Sequence, residues 1–87
     1  MWRITVPDGI LVLDLKNVLA KVGARYGVKL PRKVVAVDFG RRGDLYVRFK
    51  HVEEPNGEAT EDGLAVFFYE DGGNLVGLEL LDVEVFT

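Results

Sequence analysis

The stretch Leu64-Ala65-Val66-Phe67-Phe68-Tyr69 decides the fold class, because it is apolar on both of the faces that a β-strand presents. A strand of this kind is expected in the interior of a sheet, where neither of its faces meets water. One helix covers only one face of such a sheet. The stretch therefore predicts a sheet with a helix on one side and an apolar surface that needs a second cover on the other.

Patterns on both sides of this stretch predict further strands and their connections. Residues 45–50 alternate cleanly between apolar and polar, and residues 34–39 are typical of a largely buried strand. Glycine, proline and acidic residues fill the segments between strands. These segments are predicted as turns at 40–44 and 71–74 and as an exposed loop or ragged hairpin at 51–63.

One helix is predicted near the N terminus. Residues 2–6 alternate as a half-buried strand, and residues 10–13 are interpreted as its hairpin partner, with the first turn of a helix as the alternative. The helix is expected between an N-cap at Asp14 and a C-cap at Gly27. Its apolar residues recur at helical spacing, namely Leu15, Val18, Leu19, Val22 and Tyr26.

The last predicted strand, residues 75–86, changes phase part-way along. Its apolar residues share one face up to Leu80 and the opposite face from Leu81 onward. A slip by one residue indicates a β-bulge or a sharp bend near this pair of leucines. Two short strands without a bulge are the alternative.

Together these elements predict an α+β fold in a single domain of residues 1–87. One helix packs on a mostly antiparallel sheet of five to six strands, in the order ββαββββ. The helix is expected to meet the sheet at Val35, Val37, Val47, Phe49, Val66, Phe68, Val76, Leu78 and Leu80. Because the strand at 64–69 is apolar on both faces, a homodimer is expected to bury the other face.

The composition excludes several classes of site. The 87 residues include no cysteine, serine or glutamine, and His51 is the only histidine, so disulfide scaffolds, zinc ribbons, cysteine proteases and serine hydrolases are excluded. The sequence contains no secretory pattern and no apolar run that spans a membrane, so a cytoplasmic protein without membrane contact is expected. The scarcity of thermolabile residues favours a thermophilic source.

The charges are divided along the chain. Residues 1–50 hold all eleven Lys and Arg residues with four acids, a formal +7, whereas residues 51–87 hold ten acids and neither Lys nor Arg, a formal −10. Three interpretations remain open: ion pairs between the two halves, assembly of copies through opposite charges, and a basic patch that contacts phosphates.

Two sets of charged residues are the candidate binding sites. A basic protein partner is expected to contact the acidic segment, at Glu53, Glu54, Glu58, Glu61 and Asp62. In the alternative, nucleic acid contacts the basic half, at Lys29, Arg32, Lys33, Arg41, Arg42, Arg48 and Lys50.

No catalytic, cofactor-binding or metal-binding residue is predicted. His51 precedes a run of acids, but a solvated loop histidine is the preferred interpretation because no nucleophile stands beside it in the sequence. Glu79 interrupts an apolar strand. It is expected either on the wet face of the sheet or buried and paired with an arginine such as Arg48.

Residues 44–49, DLYVRF, and residues 69–81, YEDGGNLVGLELL, resemble domain-of-unknown-function family 2283. The pattern of that family is roughly D-x-L-Y-I-x-F, followed by D-x-D-G-x-L-V-G-I-E-I-L, and Gly77 and Glu79 match it. The chain departs from the pattern at residues 67–69, FFY, where the family often has aspartates.

The resemblance covers residues 44–82 and implies a small prokaryotic protein, with an antitoxin-like role beside a toxin partner as one option. From the residues and the resemblance together, we predict a non-enzymatic module that self-associates or binds a partner protein. A nucleic-acid-associated regulator that uses the basic N-terminal half is the alternative.

Overall fold

The structure is a computed structural model that describes residues 3–5 and 12–87. The chain forms two compact units. The first lies within Met1–Leu30 and Val83–Thr87, and the second is Pro31–Asp82. The prediction of a single domain, and that of a helix packed on the sheet, stay predictions.

The first unit opens with a short antiparallel hairpin. Strand β1 (Arg3–Thr5) pairs with β2 (Val12–Asp14). The hairpin interpretation is therefore confirmed over its described part, while residues 2, 6, 10 and 11 lie outside the described residues.

Helix α1 (Leu15–Tyr26) has the predicted bounds and both predicted caps. The backbone N–H of Asn17 donates to Asp14 Oδ1 at 3.4 Å, which satisfies one free N–H of the first turn. Gly27 takes a left-handed conformation with φ of 65°, and its N–H donates to the Gly23 carbonyl. This helix buries one stripe, formed by Leu15, Val18 and Val22.

The C-terminal segment corrects the sequence prediction. The chain bends at Leu81, where the phase changes, but a 3₁₀ helix (Val83–Phe86) follows instead of a continued strand. A 3₁₀ helix repeats every three residues, so Val83 and Phe86 share a side and are buried, while Val85 is exposed. Within the first unit the Phe86 ring lies 6.2 Å from the Tyr26 ring of α1.

The second unit is a five-stranded antiparallel sheet, which confirms the α+β class. Its strands are β3 (Ala36–Phe39), β4 (Leu45–Arg48), β5 (Asn56–Ala59), β6 (Ala65–Tyr69) and β7 (Leu75–Leu80). In space they follow the order β3-β4-β7-β6-β5. The last strand therefore lies in the centre, and five strands instead of the predicted four follow the helix.

The strand predicted at 34–39 differs from the observed one in its start and its burial. The strand predicted at 34–39 begins at Ala36 and lies at an edge of the sheet, and Val35, which was expected in the core, is 48% exposed. Residues 56–59, within the predicted loop or ragged hairpin, form strand β5 beside β6. The predicted interior position of the 64–69 strand is confirmed, since β6 lies between β7 and β5.

The two faces of this sheet differ in burial. On one face the side chains of the three inner strands are buried, among them Leu45, Val47, Ala65, Phe67, Leu78 and Leu80. The opposite face, here called the open face, keeps its larger side chains partly exposed. The strand register places two rows of residues on the open face. The first row is Ala36, Arg48, Gly77, Phe68 and Gly57, and the second is Asp38, Tyr46, Glu79, Val66 and Ala59.

Candidate interaction surfaces

The basic and acidic residues, which are separated along the sequence, are also separated between the two edges of the sheet. Edge strand β3 is flanked by exposed Arg32, Lys33, Arg41 and Arg42. The opposite edge strand, β5, holds Glu58 and is flanked by exposed Glu53, Glu54, Glu61 and Asp62. Strands are spaced by about 4.8 Å, so the two edges stand roughly 19 Å apart. We call the second of these the acidic edge.

The open face carries an aromatic pair at its centre. The rings of Tyr46 on β4 and Phe68 on β6 lie with their centroids 5.3 Å apart, a common distance for interacting aromatic side chains. Strand β7 runs between them, and Gly77 leaves the space in which they meet. A Cβ atom at Gly77 would lie 3.3 Å from Tyr46 Cε1 and 3.4 Å from Phe68 Cβ.

Arg48 adds a positive charge to this pair. Its guanidinium carbon lies 5.1 Å from the centroid of the Tyr46 ring, within cation–π range. The Arg48 Nε atom is buried and has no hydrogen-bond partner among the residues that the structure describes. The Arg48 side chain therefore keeps, on the open face, a hydrogen-bond donor that no described residue uses.

Glu79 stands on the same face, half-buried and directly opposite Tyr46 and Val66 in the register. Arg48 and Glu79 form no ion pair with each other within the described part of the chain. The position of Glu79 agrees with the first of the two alternatives, the wet face of the sheet, and the second alternative, burial with an arginine such as Arg48 as partner, is not formed. We refer to Tyr46, Arg48, Phe68, Gly77 and Glu79 as the open-face cluster.

An ion pair between Lys50 and Glu70 links the basic and acidic halves within the second unit. Lys50 follows β4, and its Nζ atom lies 2.8 Å from Glu70 Oε1 and 3.2 Å from Oε2 in the turn between β6 and β7. The Lys50 hydrogen bond, together with its charge and a hydrogen bond from Asn74, lowers the pKa of Glu70 although partial burial acts in the opposite direction. The Lys50 ammonium group therefore already pairs with the Glu70 carboxylate.

The predicted partner-binding acids have different local roles. Asp62 shapes the β5–β6 turn, because its Oδ1 accepts from the Thr60 hydroxyl at 2.5 Å and from the Leu64 amide at 3.0 Å. The side chains of Glu53, Glu54, Glu58 and Glu61 are exposed along the acidic edge. The structure therefore brings the predicted acids to one side of the sheet.

The predicted nucleic-acid residues are not brought together in the same way. Arg41 and Arg42 lie in the β3–β4 turn at one end of the sheet, whereas Lys50 follows β4 at the other end. Arg32 and Lys33 precede β3 and belong to that second end, and Lys29 belongs to the first unit. The basic interface of the alternative function stays a prediction.

A shallow groove of about 420 Å³ lies between the acidic edge and the β6–β7 turn. It is lined by Asn56, Glu58, Tyr69, Glu70, Asp71, Gly72 and Gly73. Over residues 3–5 and 12–87 there is no group of three or more histidine or acidic side chains that suits a metal ion. Sequence analysis identified the turn but not the groove, since β5 was not predicted.

Comparison with known proteins found no matching family model, no matching curated protein and no matching solved structure. The resemblance to family 2283 therefore stays a prediction. Within the described ranges, no helix has both the length and the apolar character needed to cross a membrane.

Proposed function

We propose that this protein is a non-enzymatic interaction module that pairs with a second copy of itself through the open face of its five-stranded sheet. The observation that supports this best is the open-face cluster, with two rings in contact at the centre of a partly exposed face. Aromatic residues and arginine are enriched in the central parts of protein interfaces. Val66, the next residue of β6 on this face after Phe68, extends the apolar surface beside them.

The charges of the cluster favour a second copy over an unrelated partner. Arg48 and Glu79 lie diagonally on neighbouring strands, one positive and one negative. A two-fold axis that exchanges the two positions brings Arg48 of one copy to Glu79 of the other, and the same contact forms twice. An interface of this kind is self-complementary without any further charged residue.

Charge exchange tests this pairing directly. We expect the unaltered protein to sediment as a dimer at micromolar concentration, and the single variants Arg48→Glu and Glu79→Arg each to weaken the dimer by about tenfold or more, since like charges then face each other. An equimolar mixture of the two variants restores association, because each variant carries the charges that the other needs. Analytical ultracentrifugation of these four samples gives the answer.

The control is Arg42→Glu, which makes the same charge change in an exposed turn away from the open face. Its dimer is expected to match that of the unaltered protein. A monomeric unaltered protein contradicts the proposal, and so does a mixture of the two cluster variants that associates no better than either alone.

A second function, the binding of a basic partner protein, is favoured by the acidic edge. Four exposed glutamates line one side of the sheet there, and a partner of opposite charge is attracted at long range. An antitoxin-like role would use this edge. A triple variant that carries Glu53→Lys, Glu54→Lys and Glu58→Lys is expected to lose binding of a basic peptide. The control variant Asp38→Lys, on the opposite edge strand, is expected to retain it.

The scarcity of thermolabile residues supports a thermophilic source, and the resemblance to family 2283 supports a prokaryotic one. A cytoplasmic location is part of the same proposal. The non-enzymatic assignment is supported by the groove, which is shallow, and by Glu70 in its wall, which is held by Lys50. An interaction module needs no more than the surfaces described here.

A further inference from the structure

Strand β5 is an edge strand, and its outer side is exposed. Among the described strands it pairs with β6 alone, and all four residues of Asn56–Ala59 are exposed. An edge strand of this kind presents backbone N–H and C=O groups that have no partner within the sheet.

The register shows which backbone groups face outward. The Thr60 amide donates to the Ala65 carbonyl at 2.9 Å, so residues 60 and 65 form a hydrogen-bonded pair at the end of the β5–β6 ladder. Such pairs alternate along an antiparallel ladder. Glu58 and Asn56 therefore bond to β6, while the N–H and C=O groups of Gly57 and Ala59 point away from it.

The outward-facing residues also leave room for an incoming strand. Gly57 and Ala59 have the smallest side chains in β5, and both belong to the open face. The Phe68 ring leans over Gly57, where an added Cβ would lie 3.0 Å from Phe68 Cε1. An apolar side chain of an added strand can pack on this ring at the edge of the sheet.

The face of β5 opposite to the open face carries negative charge. Glu58 projects on the face that Gly57 and Ala59 do not use, and Glu53, Glu54 and Glu61 flank the strand. An added strand thus meets an apolar ring on one face and carboxylates on the other. Because successive side chains of a strand alternate between faces, the fitting segment alternates basic and apolar residues.

We propose that β5 is a docking strand, which takes an extended segment of a partner protein with alternating Lys or Arg and apolar residues as a sixth strand of the sheet. This proposal rests on the partner-binding function of the acidic edge and gives its mode. Main-chain hydrogen bonds to Gly57 and Ala59 provide affinity, and the alternation of the partner provides selectivity.

A second copy of this chain fits the edge less well. The other edge strand, β3, has the sequence Ala-Val-Asp-Phe, and its basic neighbours flank the strand instead of alternating with apolar residues within it, namely Arg32, Lys33, Arg41 and Arg42. Pairing of β5 with β5 of another copy places like charges together. The charges of the two edge strands therefore favour a different protein as the partner.

The test uses the capped peptide Lys-Val-Lys-Val-Lys-Val-Lys as probe, with a peptide of the same composition in block order, Lys-Lys-Lys-Lys-Val-Val-Val, for comparison. Binding is followed by titration calorimetry and by the amide signals of β5 in NMR spectra. We expect the alternating peptide to bind about tenfold more tightly than the block peptide and to protect the Gly57 and Ala59 amides from hydrogen exchange.

Two substitutions separate backbone pairing from charge attraction. Ala59→Pro removes one outward N–H and keeps the bonds to β6, whereas Ala59→Ser keeps both the N–H and a small side chain. Ala59→Pro is expected to weaken binding of the alternating peptide about tenfold, and Ala59→Ser to leave it within a factor of about two.

The outcomes distinguish the two levels of the proposal. Strand addition is overturned if both peptides bind equally well and Ala59→Pro has no effect on binding. If the triple variant Glu53→Lys, Glu54→Lys, Glu58→Lys still loses binding in that case, the proposal of partner binding at the acidic edge stays in place. No binding of either peptide, or no loss in the triple variant, overturns both. Self-association of the protein that Ala59→Pro abolishes assigns the edge to a second copy and overturns the partner proposal.

Discussion

Tyr46 and Phe68 belong to strands that are not neighbours, yet their rings meet with centroids 5.3 Å apart above Gly77 of the strand between them. A Cβ atom at position 77 would press against the Tyr46 ring, 3.3 Å from its Cε1. Glycine is unfavourable within a strand, and aromatic side chains that cover it restore the lost contact area. The open face thus owes its central aromatic surface to one residue without a side chain.

Replacement of Gly77 by valine tests this relationship. The branched side chain would enter a space where even a Cβ atom lies 3.3 Å from Tyr46 Cε1, so Gly77→Val is expected to lower the free energy of unfolding by about 2 kcal/mol. Ala59→Val, an equally branched substitution on the exposed edge strand, is expected to stay within about 0.5 kcal/mol of the unaltered protein. Urea denaturation measures both, and a Gly77→Val protein as stable as the control contradicts the packing described.

The ion pair between Lys50 and Glu70 makes a small contribution to stability that depends on pH. Because the pKa of Glu70 in the folded protein is lowered from 4.5, the contribution is complete above that value and is lost as the pH falls through the lowered pKa. Glu70→Gln removes it, so the melting temperature of the unaltered protein should exceed that of the variant at neutral pH, and the difference should close in acid.

The pair is largely exposed on the lysine side, at 61%, so added salt should also reduce the difference. Thermal melts of the two proteins over the acidic range, at low and high salt, provide the measurement. A difference that grows on acidification would mean that Glu70 is protonated more readily in the folded than in the unfolded chain.

Gly27 closes α1 in a left-handed conformation, with φ of 65°. Gly27→Ala is expected to destabilise the protein by about 1 kcal/mol, because a Cβ atom is strained in that region. Gly27→Asn should lose less, since asparagine tolerates the left-handed region better than other residues with side chains. Equal stability of the alanine and asparagine variants in denaturant titrations would argue against the cap.

The nucleic-acid alternative makes a separate prediction at the β3–β4 turn. Arg41 and Arg42 lie at the other end of the sheet from Lys50, which is engaged by Glu70. We therefore expect only weak binding of fluorescent DNA or RNA, with the same salt dependence in the unaltered protein and in the double variant Arg41→Ala, Arg42→Ala. Tight binding whose logarithmic salt slope falls by about two in the double variant would support a phosphate-binding patch instead.

The sequence predicts most accurately those elements whose signals are local. The bounds of α1 follow from the apolar spacing and from Asp14 and Gly27 at its ends, and the structure confirms each of them. The C-terminal segment was harder to predict, because alternation in strands and spacing by three are both compatible with the short run of Val83, Val85 and Phe86. Burial of the first and third of these residues decides in favour of the 3₁₀ helix.

The candidate surfaces were predictable only in part. The positions of Tyr46 and Arg48 on the face opposite Leu45 follow from simple alternation, and so does the apolar second face of β6. Strand β5 gives no such signal, because Asn-Gly-Glu-Ala contains no β-branched or aromatic residue and forms a strand through its pairing with β6. The order of the strands, and with it the acidic edge, depends on contacts between distant segments.

The central position of β7 has a consequence for synthesis on the ribosome. The hairpins β3–β4 and β5–β6 share no strand pairing until Leu75–Leu80 is inserted between them. A two-stranded hairpin alone is marginally stable in water, so a nascent chain that ends before Leu75 holds two incomplete pieces. The sheet is completed only after Leu80 has been synthesised, and until then the inner sides of β4 and β6 are exposed to chaperones and to other nascent chains.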